Sequence, residues 1–306
     1  MKGRFSWMLG AALLMAMPAL RAAPPNGVVP AQMVVTVVHR AGDAQENLDP
    51  ADLTVSQGNK SSQVVHLERL AGNLADVQLF VLLDDSTRST SLGRQLPELR
   101  SFINSLPAST QVAVGYMHNG TFTPSEGFTA DHDKAVKALR LPAAIPGENG
   151  SPYFVLSDLA KHWPSKQTAG RRVVMMFTDG VDPYYDEQIV DDPYLNAAVT
   201  ETLKSDIAVY SIYLRGAGQY GRNEWVANFA QSRLIEVSEE TGGNAYFQGL
   251  TDPVTISPFL KDFRDRLDNQ YKVTIEATSE KGVQPVKLRS ELRSLKIDSP
   301  TRIYVR

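Results

Sequence analysis

Two kinds of hydrophobic pattern divide this chain. The stretches 32–42 (QMVVTVVHRAG) and 52–70 (DLTVSQGNKSSQVVHLERL) are apolar at every second position or in short runs, and read as β. The first predicts one strand and the second predicts two strands around the turn QGNK. From Asp76 the pattern changes. Residues 77–83 (VQLFVLL), 172–177 (RVVMMF) and 207–214 (IAVYSIYL) are nearly unbroken apolar runs, as expected of strands buried on both faces. Between them the apolar positions recur at helical spacing. Leu96, Leu99, Phe102, Ile103 and Leu106 mark one helix. Others are predicted over 133–141, 155–163, 194–204, 223–242 and 257–267, with a short strand at 244–248. The runs 110–117 and 121–128 flank His118-Asn119-Gly120, and Asn-Gly between strand-like runs predicts a hairpin. After Asn269 the β pattern returns at 271–277, 286–292 and 301–305.

Strands alternating with helices predict an α/β domain over 76–268, a doubly wound, mainly parallel sheet of Rossmann-like topology. The flanking parts, 23–75 and 269–306, have too few strands to stand alone and are expected to pair into a small accessory β region built from both chain ends.

The first residues fit a different role. Lys2 and Arg4 precede an uncharged stretch, 5–20, and Ala22 stands where a signal peptidase would cut. About 16 apolar residues fall short of the roughly 20 needed to cross a bilayer. A signal peptide over 1–22 is therefore expected, with an exported, periplasmic or extracellular product and no stable membrane span after cleavage. Loss of Lys2, Arg4 and Arg21 takes the formal charge from −3 to −6. An acidic product is a poor partner for nucleic acid, which needs clustered Lys and Arg. There is no cysteine, so disulfide, thiol and zinc-thiolate chemistry are excluded.

The richest chemistry lies where the first buried strand ends. Asp84, Asp85, Ser86, Thr87, Arg88, Ser89, Thr90 and Ser91 follow the apolar run directly. A later strand ends in FTDG (177–180), and TGGNAYF (241–247) follows the last long helix pattern but one. These pieces, in this order, resemble the von Willebrand factor A (VWA) domain. With the flanking β segments, the chain resembles the exported VWFA-related proteins of acidobacteria.

The resemblance implies a metal-ion-dependent adhesion site that takes Mg2+ or another divalent cation and leaves one position open to a partner's carboxylate. Asp84 and Ser86 match its first loop and Asp179 its second. Ser151 stands nearest to the family's threonine, although alignment on the following helix puts Tyr153 there. Arg88 replaces the second motif serine. A register shifted by one, Asp85-x-Thr87-x-Ser89, would restore the oxygens. Two readings stay open: the loop holds a metal with Arg88 turned outward, or Arg88 contacts Asp84, Asp85 or a partner and metal binding is weak or absent.

Further candidates lie on the same edge. The stretch 181–194 brings Asp182, Tyr184, Tyr185 and Asp186 beside the second aspartate, as a solvated acidic loop, as a binding rim with Asp85, Arg88 and Ser89, or as a second cation site. Gly216-x-Gly218-x-x-Gly221 follows a late strand, and is read as a flexible loop rather than a dinucleotide fingerprint. Tyr210, Tyr213, Trp225 and Phe229 are expected in the core. The five histidines make no ligand spacing and no G-x-S-x-G elbow occurs. The expected function is an exported binding module for a protein or cell-envelope ligand, not an enzyme. A structural envelope subunit that binds through its β region is the alternative, and a hydrolase using the acidic rim a weaker one.

Overall fold

Strand β5 (Val77–Asp84) lies at the middle of the molecule, and every one of its residues is buried. The computed structural model describes residues 27–39, 48–145, 150–167, 170–184, 191–217, 220–292 and 294–306. The expected signal segment lies outside them. No helix among the described residues is long and apolar enough to cross a membrane.

β5 pairs in parallel with β6 (Thr110–His118) on one side and β8 (Arg171–Thr178) on the other. β9 (Ile207–Tyr213) and the short β10 (Ala245–Tyr246) extend the sheet in parallel beyond β8. β7 (Thr121–Thr129) closes the other edge antiparallel to β6. The hairpin between them turns on Asn119 and Gly120, both at positive φ (49° and 77°), which is why that dipeptide is informative.

Alternation along β5 separates two cores. Leu79, Val81 and Leu83 face α1 (Ser89–Ser105), α2 (His132–Lys137) and α6 (Ser257–Asp268). Phe80 and Leu82 face α3 (Pro152–Lys161), α4 (Pro193–Lys204) and α5 (Glu224–Glu240). With helices on both faces, the strand needs no polar side, and its pattern is continuous rather than alternating.

The accessory β region is larger than the small sheet expected. It consists of two four-stranded sheets, ordered β13-β1-β11-β4 and β14-β12-β2-β3. Here β1 is Val28–His39, β2 Leu53–Gln57, β3 Lys60–Ser62 and β4 Val64–Arg69. At the other chain end, β11 is Gln270–Thr278, β12 Gly282–Ser290, β13 Leu295–Asp298 and β14 Arg302–Val305. The stretch read as two strands around QGNK is three, since β2 and β3 pair in one sheet while β4 joins the other. Val35, Val55, Val273, Ile275, Leu288 and Ile303 share the core between the sheets.

This sandwich meets the α/β sheet at the N-terminal ends of its strands. The buried Arg171, first residue of β8, donates to the carbonyl of Ala75 (2.8 Å), the carbonyl of Leu267 (2.5 Å) and Oε1 of Gln270 (2.9 Å). The opposite end of the sheet, where β5 and β8 finish, is left to the loops.

Candidate ligand-binding rim

Pairing of Leu83 with Phe177 aligns the ends of β5 and β8, so Asp84 and Asp179 leave the sheet side by side. Both are buried. Oδ1 of Asp84 accepts from the backbone N–H (3.0 Å) and hydroxyl (2.6 Å) of Ser86, and its Oδ2 accepts from the Thr178 hydroxyl (2.9 Å). Asp179 receives less: its Oδ1 accepts from the Val181 N–H at 3.0 Å. Burial raises the Asp84 carboxyl against the pull of these hydrogen bonds. Burial, with the charge of Asp84 beside it, raises Asp179 to about 7. Hydrogen bonds that favour a carboxylate are concentrated on Asp84, so Asp179 is the member of the pair that holds the proton.

Asp85 points elsewhere. It forms a bidentate pair with Arg140 (2.6 and 3.1 Å) and accepts from the Ala143 N–H at 2.8 Å. Burial pushes its carboxyl up, but the Arg140 and Ala143 hydrogen bonds and the Arg140 charge more than offset this and hold it below the ordinary range. Arg140 in turn lies over the Tyr116 ring, 3.8 Å from its centroid. The sequence reading missed Arg140 because it placed residues 133–141 on one helix. α2 ends at Lys137, and the chain beyond it is free to carry the guanidinium to Asp85.

Arg88 is half-buried, and its side chain makes no hydrogen bond or ion pair among the described residues. The expected contact with Asp84 or Asp85 is therefore corrected: the cation on Asp85 is Arg140. Arg88 instead lies against the loop after β9, where a Cβ added to Gly221 would fall 3.1 Å from its Nη2. In the same loop a Cβ on Gly216 would stand 2.6 Å from Oδ2 of Asp179. The first and last glycines of that motif thus let backbone approach the site closely; Gly218 lies outside the described residues.

Ser151 is buried but does not join the aspartate pair. As N-cap of α3 it accepts from the Tyr153 N–H (3.3 Å), and its hydroxyl donates to Oδ2 of Asp182 at 2.5 Å. The shifted register fails as well. Asp85 is held by Arg140, the Thr87 hydroxyl donates to the Asp84 carbonyl (3.1 Å), and Ser89 is exposed in the first turn of α1. Asp182 accepts from the Tyr184 N–H at 2.9 Å, ordering the start of the following loop. Tyr184 is exposed, while Tyr185 and Asp186 lie outside the described residues.

A hard cation needs oxygen donors and compensating negative charge. Two buried carboxylates lie at neighbouring strand ends, close enough for the charge of Asp84 to act on Asp179; among the described residues neither has an ion pair, and the Ser86 hydroxyl is bonded to Asp84. A space of about 10 Å³, about one water in size, opens next to Asp84 and Ser86. Asp84, Ser86 and Asp179 are the oxygens that would hold a divalent cation, but Asp179 does not line that space, and Ser151 is taken by Asp182. No group of three His, Asp or Glu side chains gathers for a metal among the described residues.

Exposed apolar side chains gather on the same edge of the sheet, among polar ones. Among the described residues eight large hydrophobic side chains are exposed. Six of them, Leu141, Ile145, Tyr184, Trp225, Phe247 and Val254, sit on loops or helix starts at the C-terminal edge of the sheet. Trp225 corrects an expectation. It is 64% exposed and Phe229 half-buried, while Tyr210 and Tyr213 are core. The period-3.6 pattern placed Trp225 with its helix, but it occupies the first turn, beyond the reach of the sheet.

No known family model matches this chain, and no curated protein does. Solved structures give partial likenesses. An aerotolerance-related membrane protein from Bacteroides fragilis is 15% identical, with TM-score 0.46 over 63% of this chain and 98% of that one. The conserved hypothetical protein BatB from Bacteroides thetaiotaomicron is 12% identical, with TM-score 0.45 over 62% and 96%. The SpRpn10 VWA domain is 13% identical, with TM-score 0.36 over 58% and 96%.

Proposed function

We propose that this chain is an exported binding module of the VWA type, with a doubly wound α/β domain whose loop rim engages a protein or cell-envelope ligand. The observation that carries this reading is the concentration of exposed apolar side chains at one edge of the sheet, with a buried carboxylate pair and a half-buried arginine that has no ion pair among the described residues. Large apolar groups grouped on one surface mark interaction sites far better than scattered ones. Aromatic and arginine side chains contribute most where interfaces are tight. The opposite edge is covered by the sandwich, which leaves the rim as the free end.

A divalent cation bound by Asp84, Ser86 and Asp179 would supply positive charge to the centre of the rim and draw a carboxylate of the partner. Arg88 supplies positive charge to the same centre without metal. Catalysis is not part of this reading.

Two measurements test the proposal. Calorimetric titration of chelator-treated protein with magnesium and manganese, beside Asp179→Ala, should give saturable binding that the variant lacks. Absence of binding in both would remove the metal and leave Arg88 as the central charge. Capture of partners from envelope extracts should fail when Arg88 and Trp225 are both changed to alanine. Capture unchanged by that double substitution would refute the rim as the binding surface.

A further inference from the structure

On the rim, three arginines meet at one glycine. Nε of Arg215 donates to the carbonyl of Gly221 at 2.8 Å. Nη2 of Arg88 lies 3.1 Å from where a Cβ on Gly221 would stand. Arg222 follows Gly221 in the chain and is exposed. They come from two loops, one after β5 and one after β9, and only β8 separates those strands in the sheet. Arg215 also donates to the carbonyl of Leu250 at 3.3 Å, so its guanidinium bonds go to neutral oxygens. Among the described residues none of the three pairs with a carboxylate.

The acids nearby leave this charge in place at the surface. Asp252 accepts from the Arg215 backbone N–H (2.8 Å), but its Oδ2 is already shared by the Ser91 hydroxyl (2.6 Å) and Arg94 (3.8 Å). Asp84 and Asp179 are buried below. Glu224 opens α5 and makes no ion pair with the three among the described residues. Arg88 is moreover the N-cap of α1, an end that no side chain caps. The helix dipole is positive there and disfavours a cation. Grouped guanidiniums on the surface of a chain of net negative charge raise the local potential, which an arriving anion relieves. The exposed Trp225 stands in the first turn of α5, shortly after Arg222.

We infer that this cluster binds an acidic peptide segment of the partner, with neighbouring carboxylates on Arg88, Arg215 and Arg222 and an apolar side chain against Trp225. The inference rests on the rim as the binding surface and needs no metal. Guanidinium forks pair with carboxylates through parallel hydrogen bonds. Cations spread over two loops suit several carboxylates along a chain better than one compact anion.

The test uses the full chain in chelator at low salt, followed by calorimetry. The probe is the end-blocked peptide EELEE, with QQLQQ and inorganic phosphate as controls. Saturable binding of EELEE is expected, at least tenfold tighter than QQLQQ and weakened by salt. Arg88→Gln and Arg222→Gln remove side chains that make no ion pair among the described residues. Each should weaken EELEE at least threefold, and the two together at least tenfold, with the unfolding temperature kept within a few degrees. No saturable binding of EELEE, equal binding of QQLQQ, displacement by an equal concentration of phosphate, or undiminished binding in the double variant would overturn the inference. If envelope capture is still lost on changing Arg88 and Trp225 to alanine, that failure leaves the rim as the binding surface; if capture persists as well, the rim reading falls with it.

Discussion

Replacing Asp179 with asparagine should make the protein more stable at neutral and alkaline pH. The side chain is buried, and burial with the charge of Asp84 lifts its carboxyl from 3.8 to about 7. In the unfolded chain the same group ionises near its ordinary value. Between about pH 4 and pH 7 the folded state therefore binds the extra proton. Stability falls as pH rises wherever the folded state holds more protons than the unfolded one. A difference of about three in pKa corresponds to roughly 4 kcal/mol at full effect, since each unit is worth about 1.36 kcal/mol. That penalty is complete above pH 7 and absent below pH 4. Asparagine has the same shape and no charge to bury, so its advantage over aspartate should grow through this window. Urea denaturation followed by tryptophan fluorescence, in chelator, at pH 5 and pH 8 measures it. The gap between variant and parent should widen by an amount on the order of 2–3 kcal/mol between those two pH values. Magnesium should narrow it by stabilising the parent alone. Parallel pH profiles for the two proteins would show that the carboxylate pair carries no electrostatic strain, and the argument for a cation between them would fall.

Other expectations concern neighbouring groups. Arg140→Met leaves Asp85 without its cation and should cost about 1–3 kcal/mol at pH 7 by chemical denaturation. Asp85 is held below its ordinary value, so its contribution is present above about pH 4 and lost as pH falls through the folded value; the cost should shrink in strong acid. Gly216→Ala removes no oxygen donor, yet its methyl would stand 2.6 Å from Oδ2 of Asp179. Magnesium affinity measured by calorimetry should drop at least tenfold, and an unchanged affinity would separate that loop from the site. Trp225→Ala should leave stability within about 0.5 kcal/mol, as for exposed positions generally, and a larger loss by urea titration would mean the ring is packed.

The α/β core could be read because its burial leaves a trace in composition. β5 and β8 show unbroken apolar runs since both faces are covered, and Asn119-Gly120 announces its hairpin through the positive φ that only such residues accept readily. The accessory part was less legible. β3 and β13 have three and four residues each, mostly polar, and β13 is set by pairing with β1 across more than half the chain. No local pattern encodes such a partner. At the rim, the carboxylates could be placed from the strand ends, because the sheet register fixes them. The pairing of Asp85 with Arg140 could not, as it depends on where α2 stops and on the ring of Tyr116 beneath the guanidinium. The same limit applied to Ser151, whose position before α3 was visible but whose hydroxyl is claimed by Asp182.

The contacts of Arg171 also bear on how the chain reaches its native state. One guanidinium grips the carbonyls of Ala75 and Leu267, the points where the chain passes from sandwich to α/β domain and back. Strand β1 pairs only with β11 and β13, and β2, beside its local partner β3, pairs with β12, all of them at the far end of the chain. Bringing such distant segments together from an open chain would carry a loop-closure entropy of roughly 5 kcal/mol. Once the α/β domain has folded and its two ends are clasped, that distance is already closed. The sandwich can then zip as though its halves were joined by a short hairpin. Nucleation in the α/β domain should therefore precede assembly of the sandwich, and loosening the clasp should slow the second step more than the first.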